Sequence, residues 1–405
     1  MTNLNSPITV VILDGGSCNS LGILRCFGER KIPVILLSSS ASNISRYSRY
    51  GIKELFGKNH EYETNFIDDL VYISKKYPGK KLLFPSYDQA ALFAFKNKEF
   101  LSRYFLFPPG DYEVLEQIID KGKFYKLLGR HNIEFPKTYY MDEYNEDSII
   151  SSIEYPCIIK PCNSYAFQKK FKKKCYRCET EELLRERIRL IKNEDLEFII
   201  QKHIDSDNQY MFYAYFDKAA QVKGICGYKK IRQNPPDYGS GCSCLTEWRD
   251  DLIYPIINFL EGIRYRGIAE PEFIKDRDDG RYKLLEINAR SSTQNRLPAF
   301  LGLDIEYMVY CDTIGKKIEK RENKNESIAW IELDEDIKSY FRSNGYRKKG
   351  MSFHEYLRIY KYKKVFAVFA WNDIFPFMSR CYQLIRLIIK QIITGHPVYK
   401  KSDPS

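Results

Sequence analysis

Residues 267–296 read GIAEPEFIKDRDDGRYKLLEINARSSTQNR. Two runs that alternate or run apolar, 267–274 and 281–287, flank the acidic, Gly-terminated segment Asp276-Arg277-Asp278-Asp279-Gly280, which is the pattern of a β-hairpin. Side chains alternate along a strand, so Glu286 and Asn288 share a face, and a loop centred near Asp279 sets Glu272 opposite Glu286. Facing carboxylates repel unless a cation lies between them. Carboxylate and amide oxygens suit Mg²⁺, or Mn²⁺ in its place, with phosphates and waters completing the shell. Arg290 follows on the same face and adds a fixed positive charge for an anionic substrate or phosphate. The competing reading is a surface hairpin with a solvated polar face, since strand edges often carry charge.

The set Glu272-Phe273 followed by Leu285-Glu286-Ile287-Asn288-Ala289-Arg290 resembles the metal-binding hairpin of the ATP-grasp superfamily. The resemblance implies an α/β chain: a Rossmann-like parallel-sheet domain at 1–110, a two-lobed ATP-grasp domain at 111–316, and a mostly helical extension at 317–405. It also implies Mg-ATP, phosphorylation of a carboxylate, and capture of the acyl phosphate by an amine. Asp120-Lys121, then a helical stretch, then Ile133-x-Phe135-Pro136-Lys137-Thr138, resembles the family segment whose lysine reaches the ATP phosphates. That role falls to Lys121, with Lys123 as the neighbouring rival. Cys157-Ile158-Ile159-Lys160 is an apolar strand ending in a lysine, which is costly to bury without an anion; it resembles the second ATP lysine of the family. By the same resemblance Gln201, Lys202 and Ile204 form the adenine hinge, with Gln201 where the family usually has Glu, and Asp207 is either a ribose ligand or a turn residue. The chain departs from the family at 162–174, CNSYAFQKKFKKK, where a Gly-rich phosphate loop is usual. Its lysines either screen the triphosphate or form an exposed basic loop. Lys229, Lys230 and Arg232, beside a Gly-containing loop at 239–241, suit a phosphoryl group or a substrate carboxylate, and Arg232 is placed ahead of Lys230. The polar, basic loop is most similar to that of carboxylate–amine ligases of cell-envelope biosynthesis.

Ahead of the hairpin, strand, helix and strand signals at 9–13, 21–30 and 33–38, then a strand at 81–85, read as a parallel sheet. Gly15-Gly16 lacks dinucleotide-loop spacing, and the second strand ends without an acidic residue for a ribose. Asp88 follows the strand at 81–85, where open sheets place ligands; it serves equally as a helix N-terminal charge.

The 405 residues suffice for two or three domains with a large core, and a net charge of +11 suits nucleotide and anionic substrates. No zinc-finger, basic-zipper or other nucleic-acid signature accompanies the charge, so nucleic acid is not an expected partner. Eleven cysteines, an odd number, fit reduced thiols and a cytoplasmic setting. Cys175-x-x-Cys178 and Cys242-x-Cys244 have no histidine close in sequence and do not make a zinc site. In the tail, Trp371-Asn372-Asp373 resembles a motif of the envelope-type branch. Ser379, Gln383, Arg386 and Lys390 lie on one face of a helix apolar elsewhere. Packing on the protein's own core is the expected use; peripheral membrane contact, with Lys400 and Lys401 as basic flanks, and a homodimer face are the others. The expected function is amide-bond formation between an amino acid or similar small carboxylate and an amine on an envelope or capsule precursor. An ATP-binding regulator, or a membrane-associated scaffold without turnover, is the alternative.

Overall fold

The computed structural model describes residues 8–394 except 17, 58–63, 144, 207, 237–238, 325 and 343, with backbone alone at 64, 387–388 and 390–394. Asp207, Lys400 and Lys401 lie outside the described residues. The chain forms two compact units. One draws on Met1–Tyr112, Tyr210–Glu270 and Asn288–Val398, and the other on Glu113–Gln209 and Pro271–Ile287.

In the first unit, β1 (Thr9–Asp14), β2 (Val34–Ser38), β3 (Ile52–Leu55) and β4 (Lys81–Pro85) make a parallel sheet of order β3-β2-β1-β4. Strands β1, β2 and β4 are near-continuous apolar runs, as a sheet covered on both faces requires. Val10, Ile12, Leu36 and Leu82 enter one hydrophobic cluster and their neighbours Val11, Leu13, Ile35, Leu37 and Leu83 enter another, the period-two division of a pleated sheet. The expected Rossmann-like parallel sheet is therefore present. Strand β3, IKEL, is half-exposed and charged and went unpredicted. The Gly15-Gly16 turn is closed by Asp14, whose Oδ1 accepts from the Gly16 amide at 2.8 Å.

The second unit holds β5 (Thr138–Tyr140), β6 (Cys157–Pro161), β7 (Tyr176–Cys178) and β8 (Phe198–Lys202), in the order β5-β8-β6-β7 and antiparallel throughout. Ile159, Phe167, Leu184, Ile188 and Ile200 form its core. The basic run expected as a loop is instead mostly a helix, Ser164–Phe171. Asn163 caps it by accepting from the Ala166 amide at 3.1 Å, and Phe167 and Phe171, one turn apart, meet in a tilted pair with ring centroids 4.7 Å apart. The helix ends at Lys172, in the left-handed region at φ 57°.

A larger sheet follows: β9 (Gln209–Phe216), β10 (Val222–Asn234), β11 (Ser240–Thr246), β12 (Gly267–Lys275), β13 (Tyr282–Asn288), β14 (Arg321–Asn323), β15 (Ile328–Ile331) and β16 (Lys363–Phe366). Its order is β13-β12-β9-β10-β11-β15-β16, with β14 pairing β10. The predicted hairpin is β12 and β13; the Asp276 amide donates to the Arg281 carbonyl at 2.8 Å, and Gly280 takes φ 70°, which favours glycine.

The tail motif explains itself through burial. Asp373 and Arg25 are fully buried in the first unit and pair at 2.9 Å, while the Ser48 hydroxyl and the Arg49 amide donate to the same carboxylate, each at 2.8 Å. Further on, the helix Phe375–Thr394 tucks Phe377 against the core and pairs Arg380 with Glu332 at 3.0 Å. Phe375, Met378, Tyr382, Ile385 and Ile389 stay exposed. Among the described residues no helix is long and apolar enough to cross a membrane.

Candidate functional site

The second unit assembles most of the residues expected to bind nucleotide. Asp120 caps the helix Lys121–Arg130 by accepting from the Lys123 amide at 2.9 Å, which sets Lys121 in the first turn. Lys121 Nζ meets Glu286 Oε2 at 2.8 Å. One turn on, the buried Tyr125 donates to the Leu285 carbonyl at 2.6 Å and lies 3.4 Å from Lys160 Nζ. Strand β13 is tied down by the Leu284 amide, which donates to the Glu134 carbonyl at 2.8 Å, and by Lys283, which pairs with the Glu134 side chain at 2.8 Å. The Lys121 ammonium beside Glu286, aided by Lys160 and Lys174, holds this carboxyl down at about 2 despite its desolvation. The predicted lysines and a predicted metal ligand thus share one electrostatic neighbourhood within this unit.

The hinge residues sit at the end of β8. Gln201 is buried and donates from Nε2 to Thr138 Oγ1 at 2.8 Å. The Lys202 amide donates to the Lys137 carbonyl at 2.9 Å and its ammonium pairs with Asp278. Ile204 is buried. Lys123, the rival of Lys121, pairs with Glu116 at 2.6 Å and is half-exposed.

In the first unit, Asn288 Nδ2 donates to Glu270 Oε2 at 3.2 Å, and Arg290 Nη2 donates to Asn288 Oδ1 at 2.9 Å. Arg290 Nε also lies 3.5 Å from Asp88 Oδ1, at the carboxyl end of β4 as expected. Glu270 went unassigned in the sequence, although the alternation that selected Glu272 puts Glu270 on the same face of β12. Behind this row lies a buried polar network. Ser291 donates to Glu306 at 2.7 Å, Tyr213 donates to the same oxygen at 2.6 Å, and Asn19 Nδ2 donates to the Ser86 and Ser291 carbonyls, both at 2.6 Å. Gly22 permits the close approach: a methyl there would fall 1.9 Å from Asn295 Oδ1.

The placement of Arg232 corrects the sequence expectation. Strand β10 shifts register between Lys230, opposite Cys244, and Arg232, opposite Ser243, so the two side chains leave opposite faces. Arg232 is 1 % exposed and grips Asp336 through two contacts, at 2.8 and 2.9 Å. Its guanidinium is spent inside the protein and is not presented to a substrate. Lys230 instead shares its face with Tyr228, whose hydroxyl reaches Glu270, and lies beside Gln294: a methyl at Gly241 would stand 3.3 Å from both Lys230 Cγ and Gln294 Nε2.

Burial and the negative charge of Asp304 raise the Glu306 carboxyl from an ordinary 4.5 to about 7. The extra stability from a raised carboxyl is full below pH 4.5 and is lost as pH rises through 7. Glu332, raised likewise by burial to about 7, contributes in the same direction. Glu306→Gln is therefore expected to reduce the fall in Tm between pH 5 and pH 8 by several degrees; an unchanged difference in thermal melts would contradict this assignment.

No protein-family model matches the chain. A curated relative, the D-aspartate ligase of Enterococcus faecium (strain Aus0004), is 28% identical over 377 residues, covering 86% of this chain and 88% of that protein. Among solved structures, the biotin carboxylase domain of Hydrogenobacter thermophilus 2-oxoglutarate carboxylase, in complex with MgADP, ADP and bicarbonate, aligns with a TM-score of 0.60 and 16% identity over 79% of this chain and 73% of that one. Staphylococcus aureus N5-carboxyaminoimidazole synthetase complexed with ADP aligns at 0.59 with 15% identity, over 80% and 83%. Bacillus licheniformis L-amino acid ligase aligns at 0.57 with 14% identity, over 77% and 75%.

Proposed function

We infer from this chain, which has the fold of the ATP-grasp superfamily, a ligase that uses ATP and Mg²⁺ to form a carbon–nitrogen bond. The finer reading is a carboxylate–amine ligase. ATP phosphorylates a small carboxylate, and an amine attacks the acyl phosphate and releases phosphate. The observation that carries this reading is Glu286, ionised and paired at 2.8 Å with Lys121 in a field that includes Lys160. A depressed carboxylate among lysines suits a site built to hold a cation and polyphosphate together.

In this proposal Glu272, Glu286 and Asn288 hold Mg²⁺, which when bound neutralises phosphate charge. The donor set fits the ion: Glu286 and Asn288 already turn oxygens to the cationic Lys121 and Arg290. Lys121 and Lys160 hold the triphosphate, Gln201, Lys202 and Ile204 line the adenine, and Asp207 is kept for the ribose. Arg290 and Lys230 orient the substrate carboxylate, with Lys230 taking the place first given to Arg232. Such groups act by position and charge, as phosphoryl transfer demands. Residues 1–110 are assigned to the acceptor, 111–316 to the nucleotide and 317–405 to support. We place an amino acid first as the carboxylate, in line with the D-aspartate ligase relative, and an amine of an envelope or capsule precursor as the acceptor.

The test is ADP release across a panel of amino acids, each with and without amine acceptors. The expected result is release that requires an amino acid and yields a coupled product. Release that stays at the Glu286→Gln background for every combination would contradict the ligase reading.

A further inference from the structure

We propose that Glu270 is a positioning residue that locks the Asn288 amide with its oxygen turned toward the metal; this rests on the reading of Asn288 as a metal ligand. A carboxamide presents an acceptor on one side and two donors on the other, and only the oxygen binds a hard cation. Left alone it can rotate and offer either side. Here the neighbours decide. Asn288 Nδ2 donates to Glu270 Oε2 at 3.2 Å, and Arg290 Nη2 donates to Asn288 Oδ1 at 2.9 Å. Rotating the amide by half a turn would set its oxygen against a carboxylate and its NH₂ against a guanidinium, which is repulsive at both ends.

Glu270 is itself held firmly. It is 4 % exposed, and its Oε1 accepts from both the Tyr228 and the Ser292 hydroxyls. These donors offset the cost of burying the charge and leave Oε2 to face Asn288. Two of the supports lie on elements brought in from outside the hairpin: Tyr228 on β10, and Ser292 in the segment after β13. A carboxylate has no proton to donate when ionised, so it accepts only from the NH₂ side. Glutamine at 270 would keep the shape and the hydroxyl contacts yet could present either end to Asn288.

The test is Mn²⁺ binding in the presence of ATP, read from the electron paramagnetic resonance signal of free Mn²⁺, for wild type, Glu270→Gln, Glu270→Asp and Asn288→Ala, with Tm recorded for each. Glu270→Gln is expected to weaken Mn²⁺ binding roughly 10- to 100-fold. Glu270→Asp, which remains acceptor-only, is expected to bind more tightly than Glu270→Gln. A role in packing alone would give the opposite order, and that order overturns the proposal even where both variants lose Tm. If Asn288→Ala binds Mn²⁺ as wild type does, the ligand assignment falls and takes this inference with it. If Asn288→Ala weakens binding and Glu270→Gln does not, the ligand assignment stands and Glu270 alone is overturned.

Discussion

Glu286→Gln is expected to lower ADP release by at least ~100-fold, in the range found when one group that stabilises developing charge is removed. The substitution keeps size and shape but removes the charge that the site is arranged around. Lys121, Lys160 and Lys174 together hold this carboxyl at about 2, so it is ionised at every working pH, and a neutral amide cannot replace it in the proposed role of partner to a divalent ion among three ammonium groups. Stability should change little. The Lys121–Glu286 contact involves side chains that are 16 % and 41 % exposed, and half-exposed pairs of this kind contribute about 1 kcal/mol or less. A coupled ADP assay with thermal melts on the same samples separates the two effects. A variant that turns over at the wild-type rate would remove Glu286 from the site.

Arg232→Met is expected to behave in the opposite way, lowering stability by about 3–5 kcal/mol, or Tm by roughly 10 °C, and leaving the folded enzyme active. Its guanidinium neutralises Asp336 in a fully buried pair, lies 4.6 Å from the Tyr356 ring, and shares Asp336 with the Tyr360 hydroxyl at 2.7 Å. Removing the cation leaves a carboxylate buried without its partner, which is the costly half of such a change. The double variant Arg232→Met with Asp336→Leu should recover part of the loss, because it removes both charges and leaves the Tyr360 hydroxyl its contact with Tyr356 at 3.1 Å. Thermal melts across the cycle measure this coupling. Loss of ADP release from Arg232→Met with an unchanged Tm would restore Arg232 to the chemistry and contradict its placement here.

The contrast between Glu286 and Arg232 shows what a sequence reveals of such a site. The hairpin that carries Glu272, Glu286 and Asn288 was legible because strand alternation is a local rule and the turn at Asp276–Gly280 fixes where it folds back. The parallel sheet was legible because β1, β2 and β4 are unbroken apolar runs. Arg232 failed because a register shift in β10 turns it over, and no glycine or proline around Ile231 marks that shift. The helix Ser164–Phe171 was hidden under its lysines, although the Phe167 and Phe171 spacing was present. Asn19, Tyr213 and Glu306 were out of reach, since each owes its place to partners more than 60 residues away, such as Ser86 for Asn19 and Glu306 for Tyr213.

The carboxylate-activation claim is tested most directly with an amino acid carrying ¹⁸O in its carboxylate, ATP and an amine acceptor. The expected result is one ¹⁸O transferred to the inorganic phosphate for each amide formed, since an acyl phosphate must pass one carboxylate oxygen to the departing phosphate. Amide formed with unlabelled phosphate, the departing ¹⁸O appearing in AMP or in water instead, would contradict activation by phosphorylation.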